Sequence, residues 1–223
     1  MKTAIVFGSS GFVGSHLLSE LLSSAEYEQV TAVARKDLNI SHPKLKTLIA
    51  DYNSLSALKS DISADEIFIA LGTTRDKSPE KAEYYRVDHD YPVLAARIAK
   101  EQGAKSVFLV SAVGANAHSN IFYVKTKGKT ERDIIALDFK HTHIFRPSML
   151  MGDRKENRLL ERVFIHAWSI INPMLVGTAA RYRGITGEDL AKSMKIAAKH
   201  QPEKVKIYHW KEMKDLLRGQ SMG

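Results

Sequence analysis

The stretch TAIVFGSSGFVGSHLLSELL near the amino terminus constrains the fold more than any other. Its first part, TAIVFG, is a nearly continuous apolar, β-branched run that ends on glycine. That is the pattern of a strand buried on both faces, as strands of a parallel sheet are. After the turn, Val13, Leu17, Leu18, Leu21 and Leu22 recur at the spacing of one helical face. A strand, a glycine turn and a helix therefore follow one another within about twenty residues.

The same rhythm continues. VTAVAR, LKTLIAD, EIFIALG, SVFLVSA and HTHIFRP read as strands two to six, and KVKIYHW as a last strand. From Val87, the positions Tyr91, Leu94 and Ile98 form a helical stripe, with Pro92 tolerable only in a first turn. Residues 121–137 read as another helix. Thr186 followed by Asp189 predicts a capped helix with Leu190, Met194, Ala197 and Ala198 on one face. The tail RGQSMG reads as loose. Alternating strands and helices predict an α/β fold: a doubly wound, Rossmann-type parallel sheet with a small C-terminal helical region on the substrate side. The 223 residues suit a single domain, 1–223, with 153–185 as a lid or substrate-side segment.

Gly8, Gly11 and Gly14 stand where a dinucleotide fingerprint would place them. Gly8 suits the tight turn, Gly11 a close approach of backbone to a pyrophosphate, and Gly14 helix-on-strand packing. The spacing is G-x-x-G-x-x-G rather than G-x-G-x-x-G, and a purely structural turn is the competing reading. About 20 residues on, an acid would take the 2′-hydroxyl of NAD. This chain has Arg35 and Lys36 there, which suit the 2′-phosphate of NADP through charge-assisted hydrogen bonds; a surface basic pair is the plainer alternative. Asp51 ends the third strand, where it can accept from an adenine amino group. Leu71, Gly72, Thr73 and Thr74 end the fourth, where backbone can lie near ribose and phosphates.

FYVKTKG places Tyr123 and Lys127 on one helical face. An ammonium beside a phenol favours the phenolate and lowers its pKa from about 10. Such a pair can exchange a proton with a carbonyl oxygen while hydride moves at carbon. Tyr-x-x-x-Lys alone is a weak motif. Its place after the fifth strand strengthens it, as does Ser111, twelve residues earlier at that strand's end. Ser111 either orients a substrate oxygen or simply terminates the strand. Asp133 and Asp138 read as helix-surface charges, and Glu131 as a partner of a Lys or Arg at helical spacing.

The glycine motif together with Ser111, Tyr123 and Lys127 resembles the atypical or extended branch of the short-chain dehydrogenase/reductase superfamily. LGTTRDK, RVDHDY, YVKTKGKTE and FRPSMLMGDRKENR are similar to the family of the HIV Tat-interacting protein and its bacterial relatives, over residues 1–160. The resemblance implies NADP(H) binding: Gly8, Ser10, Gly11, Phe12, Val13 and Gly14 at the pyrophosphate, Arg35 at the 2′-phosphate, and Leu71, Gly72 and Thr73 on the ribose side. It implies Tyr123 as proton donor and Lys127 on the nicotinamide ribose. Backbone around Pro147 and Ser148 would meet the carboxamide. Some members of the branch are regulators rather than enzymes.

The expected function is NADP(H)-dependent hydride transfer to or from a small carbonyl or alcohol substrate. The alternatives are an NADPH-binding regulator or redox sensor and, more weakly, a nucleotide-sugar epimerase-like enzyme. Arg154, Arg158, Arg181 and Arg183 are candidate contacts for an anionic substrate. His166, Trp168 and Tyr182 could face a substrate or a partner subunit, while Phe164, Trp168, Ile171 and Met174 fit a helical packing face. His141 and His143 share a strand face without a third ligand at metal spacing, so no metal is expected. The chain lacks cysteine, which excludes thiolate chemistry and disulfides. Its formal charge is +8, but Lys and Arg are scattered among acids, so no nucleic-acid partner is expected. No apolar run reaches membrane-spanning length and no secretory leader is visible. The expectations that follow are a cytoplasmic location, an unidentified small-molecule substrate, a protein partner as an additional candidate, and a monomer or homodimer.

Overall fold

The structure is a computed structural model that describes residues 1–51, 53–73, 78, 80–152, 175 and 177–220. Seven strands form one parallel sheet: β1 (Lys2–Phe7), β2 (Tyr27–Ala34), β3 (Leu45–Ile49), β4 (Glu66–Ile69), β5 (Ser106–Val110), β6 (His141–Phe145) and β9 (Val205–Tyr208). Their order is β3-β2-β1-β4-β5-β6-β9. The chain winds outward from β1 in one direction and returns from β4 in the other, so the topological switch lies between β1 and β4. A two-stranded parallel sheet, β7 (Leu150–Met151) with β8 (Ile185–Thr186), lies apart from it.

Alternate residues of each strand feed two cores. Val6, Phe68, Phe108 and Phe145 pack with α1 (Phe12–Leu22) and α5 (Gly187–Lys199) on one face. Ile5, Phe7, Ile67, Ile69, Val107 and Leu109 pack with α3 (Tyr91–Glu101) and with Ile134 of α4 (Phe122–Ile135) on the other. Burial on both faces is why these strands read as unbroken apolar runs. Thr186 caps α5 as expected, its hydroxyl accepting from the Asp189 amide at 3.0 Å.

Two boundaries differ from the sequence expectation. The helical segment expected from Val87 starts earlier: α2 (Lys81–Tyr85) runs through a π-helical turn (Arg86–Asp90) into α3. Arg218–Gln220, expected to be loose, form the end of α6 (Trp210–Gln220), which Met213 and Leu216 anchor to the core. Residues 221–223 of that tail lie outside the described residues.

His143 belongs to the core rather than to a metal site. It stacks on Phe108 at 4.7 Å between ring centroids, and its Nδ1 lies 2.9 Å from the Tyr208 hydroxyl. Burial pushes its pKa down to about 4, so it is neutral at pH 7. Its neighbour His141 is held at the Glu203 carbonyl, 3.1 Å away. No group of three or more His, Asp or Glu able to hold a metal occurs among the described residues.

Candidate active site

The carboxyl ends of β1 and β4 meet at the switch. Gly8 has φ +84°, a conformation that side-chain-bearing residues rarely adopt. A Cβ on Gly8 would also lie 2.7 Å from the Ala70 carbonyl oxygen, so the turn after β1 presses against the end of β4. Gly11 is the N-cap of α1, and its amide donates to the Gly8 carbonyl at 2.9 Å. A Cβ on Gly14 would lie 2.0 Å from that carbonyl oxygen. Helix and turn can approach this closely only because residue 14 has no side chain. The amides in the first turn of a helix have no intrahelical acceptor, and they carry the positive end of the dipole. Beside this cradle Gly11 and Ser10 are exposed, so the approach to it is open. This arrangement fits a pyrophosphate.

The other expected nucleotide contacts line the same edge. The Ser9 hydroxyl donates to the Val33 carbonyl at 3.2 Å, which ties the glycine turn to the end of β2. Arg35 and Lys36 follow β2 directly and are exposed. Val13 is buried in the core. The ring of Phe12 packs between Gly152 and Gly187, so only its backbone is available to a phosphate. Asp51 follows β3 and is exposed. Hydrogen bonding from Ser54, by its side chain and then its amide, holds the Asp51 carboxyl below the usual range. The Ser54 amide donates to Asp51 Oδ1 at 2.7 Å. Leu71 is buried and Gly72 exposed at the end of β4, while Thr74 lies outside the described residues. The Pro147 carbonyl accepts from the Val113 amide at 2.9 Å, joining the ends of β5 and β6, with Ser148 half-buried beside it.

Tyr123 and Lys127 project from the first two turns of α4. A Cβ on Gly128 would lie 2.1 Å from the Ala117 nitrogen, so α4 is held hard against the loop after β5. Lys127 is buried and forms an ion pair with Asp88, with Nζ and Oδ1 2.6 Å apart. The other Asp88 oxygen accepts from the Thr73 amide at 2.9 Å. Thus Lys127, the turn after β4 and the π-helical turn converge on one buried carboxylate. Asp88 went unnoticed in the sequence, where it is one acid among the charges of RVDHD.

The expected lowering of the Tyr123 pKa is corrected here. Desolvation raises it above the ordinary phenol value and the Asp88 charge raises it further; Lys127 opposes the rise without reversing it. Desolvation outweighs the ammonium that should favour the phenolate, and the ammonium's own carboxylate partner offsets part of its charge. Tyr84 packs edge-on to Tyr123, with ring centroids 6.4 Å apart.

Ser111 is buried, and its hydroxyl donates to Glu131 Oε1 at 2.5 Å. Arg146, just past β6, holds the same carboxylate through two hydrogen bonds: Nε to Oε1 at 2.9 Å and Nη2 to Oε2 at 2.5 Å. Glu131 is therefore a buried partner of the next strand's arginine, not a member of a surface pair along its own helix. Asp133 pairs with His89 and Arg132, and Asp138 with Lys204. Of the arginines expected on a substrate side, Arg181 lies over the Tyr182 ring and Arg183 over Trp210. Arg154, Arg158, Phe164, His166, Trp168, Ile171 and Met174 lie outside the described residues.

Known proteins share this framework. The family described as NAD(P)H-binding matches residues 8–163. "Protein FMP52, mitochondrial" of Candida glabrata is 36% identical over 156 residues, covering 70% of this chain and 67% of that protein. "Protein FMP52-1, mitochondrial" of Scheffersomyces stipitis is 31% identical over 229 residues, covering 97% and 99%. Among solved structures, MoeE5 in complex with UDP-glucose and NAD superimposes with a TM-score of 0.69 at 16% identity, covering 99% of this chain and 82% of that one. At that identity the likeness speaks for the fold. The mitochondrial relatives overturn the expectation of a cytoplasmic location.

Proposed function

The chain belongs to the NAD(P)H-binding family, in an atypical short-chain dehydrogenase/reductase-like fold, and from that premise we propose that it is an NADP(H)-dependent reductase of a small carbonyl compound. The observation that carries this reading is Tyr123, a phenol kept protonated on α4, with a buried cation one helical turn away whose ammonium lies against the turn after β4. The first-turn amides of α1 would hold the pyrophosphate, Arg35 and Lys36 the 2′-phosphate, and Lys127 the nicotinamide ribose. Bound there, NADPH supplies a hydride equivalent.

Tyr123 gives its proton to the carbonyl oxygen as hydride reaches the carbon, so the product is the alcohol. Lys127 then stabilises the phenolate left behind. Ser111 has donated its hydrogen to Glu131, so it offers lone pairs and receives the hydroxyl of the alcohol. The names of the yeast relatives support a mitochondrial location.

Cofactor choice is tested by titration. Arg35→Ala is expected to weaken NADPH binding about 10–100-fold, the equivalent of one lost charge-assisted contact, and to leave NADH binding nearly unchanged. Equal losses for the two nucleotides would remove the 2′-phosphate assignment.

A second reading, a nucleotide-binding module with little turnover, is favoured by one observation. Two of the three groups assigned to chemistry already have protein partners, Lys127 with Asp88 and Ser111 with Glu131. A panel of carbonyl compounds followed by NADPH absorbance separates the two readings.

A further inference from the structure

Asp88 is 1% exposed and sits on the π-helical turn between α2 and α3. Such turns widen a helix and are frequent at functional sites. Pro92 has no N–H to give to the Asp88 carbonyl four residues earlier. Thr130 of α4 takes that carbonyl instead, its hydroxyl donating at 2.8 Å. The backbone of Asp88 is thereby fixed to the helix that carries Tyr123. Its side chain divides its oxygens between Lys127 Nζ at 2.6 Å and the Thr73 amide at 2.9 Å. A hypothetical Cβ on Gly72 would come within 3.5 Å of Asp88 Oδ1 and 3.6 Å of Lys127 Nζ, so the turn after β4 lies directly over the pair.

Burying two opposite charges this deeply is seldom the best way to gain stability, because desolvation offsets most of their attraction. A charge kept there is better explained by what it does to its neighbours. Resting on the reading of Tyr123 and Lys127 as the reacting pair, we propose that Asp88 is a positioning residue that holds the Lys127 ammonium beside the turn after β4 and offsets part of its charge toward Tyr123. Among the described residues, the groups facing Tyr123 are Lys127 on its own helix, Asp88 on the π-helical turn and Tyr84 on α2. Asp88 is the one acid among these, so its removal leaves the ammonium's effect on Tyr123 less opposed. In the direction of carbonyl reduction this matters: a phenol that ionised near neutral pH would lose its proton before the carbonyl arrived.

The test needs neither cofactor nor substrate. Tyrosine labelled with carbon-13 reports each phenol's ionisation by NMR, and the Tyr123 signal is identified by its loss in Tyr123→Phe. In the wild type, Tyr123 is expected to titrate above an ordinary phenol. Asp88→Asn, which keeps the shape and removes the charge, is expected to shift that midpoint downward, toward the ordinary phenol value. Asp88→Ser is a second neutral variant with the same expected direction, for use if the Asn variant does not fold. Asp88→Glu, which keeps the charge, retains the high midpoint. A merely structural role would change thermal stability but not this midpoint. A folded neutral variant whose Tyr123 midpoint equals the wild type's overturns the proposal. A shifted midpoint in a protein that binds no pyridine nucleotide supports the role of Asp88 and refutes the reductase reading, so the two failures are distinct.

Discussion

Tyr123→Phe is expected to lower carbonyl reduction roughly 10²–10⁴-fold, the range a positioned general acid contributes, while NADPH affinity stays nearly unchanged. The substitution removes one oxygen and keeps the ring that packs edge-on to Tyr84. Residue 123 is partly exposed and the substitution removes a single atom, so stability changes little. The prediction separates proton transfer from binding because Lys127, which would contact the nicotinamide ribose, keeps its ion pair with Asp88. Steady-state kinetics and a nucleotide titration on the same preparation check both halves. Retained turnover would remove Tyr123 from the mechanism.

Gly14→Ala is expected to be more damaging than its one added methyl suggests. The new Cβ would stand 2.0 Å from the Gly8 carbonyl oxygen and 2.7 Å from the Gly8 carbonyl carbon. Both are backbone atoms and cannot rotate away. Either α1 lifts from the turn or Gly8 leaves the conformation, at φ +84°, that joins β1 to the helix. Val13, Leu17, Leu18 and Leu21 anchor α1 in the core and resist the first. The pressure of Gly8 against Ala70 resists the second. Overpacking of this kind costs about 3 kcal/mol or more where nothing can yield, visible as a lowered Tm. Since the helix amides lose their alignment on the turn, NADPH affinity is expected to fall about 100-fold or more. A variant with wild-type Tm and affinity would show that turn and helix are not packed as described.

Much of this was legible in the sequence, for physical reasons that differ between parts. The strands announced themselves because a parallel sheet covered on both faces needs unbroken apolar runs. Ile5 and Phe7 serve one core, Val6 the other. Gly8 and Gly14 were legible because backbone contacts this tight admit no side chain. Tyr123 and Lys127 were legible because a helix places residues four apart on one face. What joins the site together was not. Asp88 meets Lys127 across 39 positions, through a π-helical turn that no periodicity announces. Glu131 has basic neighbours along its helix, so a local pair was expected. Its partner is Arg146, brought to it by the pairing of β5 with β6. The direction of the Tyr123 shift went wrong because a local rule sees the cation one turn away but not the desolvation of the phenol by the surrounding fold, to which the Asp88 charge adds.

The turn after β1 and the first turn of α1 are proposed to bind a dinucleotide, with Arg35 and Lys36 selecting its 2′-phosphate. Isothermal titration of the purified protein with NADPH and with NADH tests this most directly. The expected result is saturable binding at one site per chain, tighter for NADPH. No heat with either nucleotide, from protein shown to be folded, would contradict it.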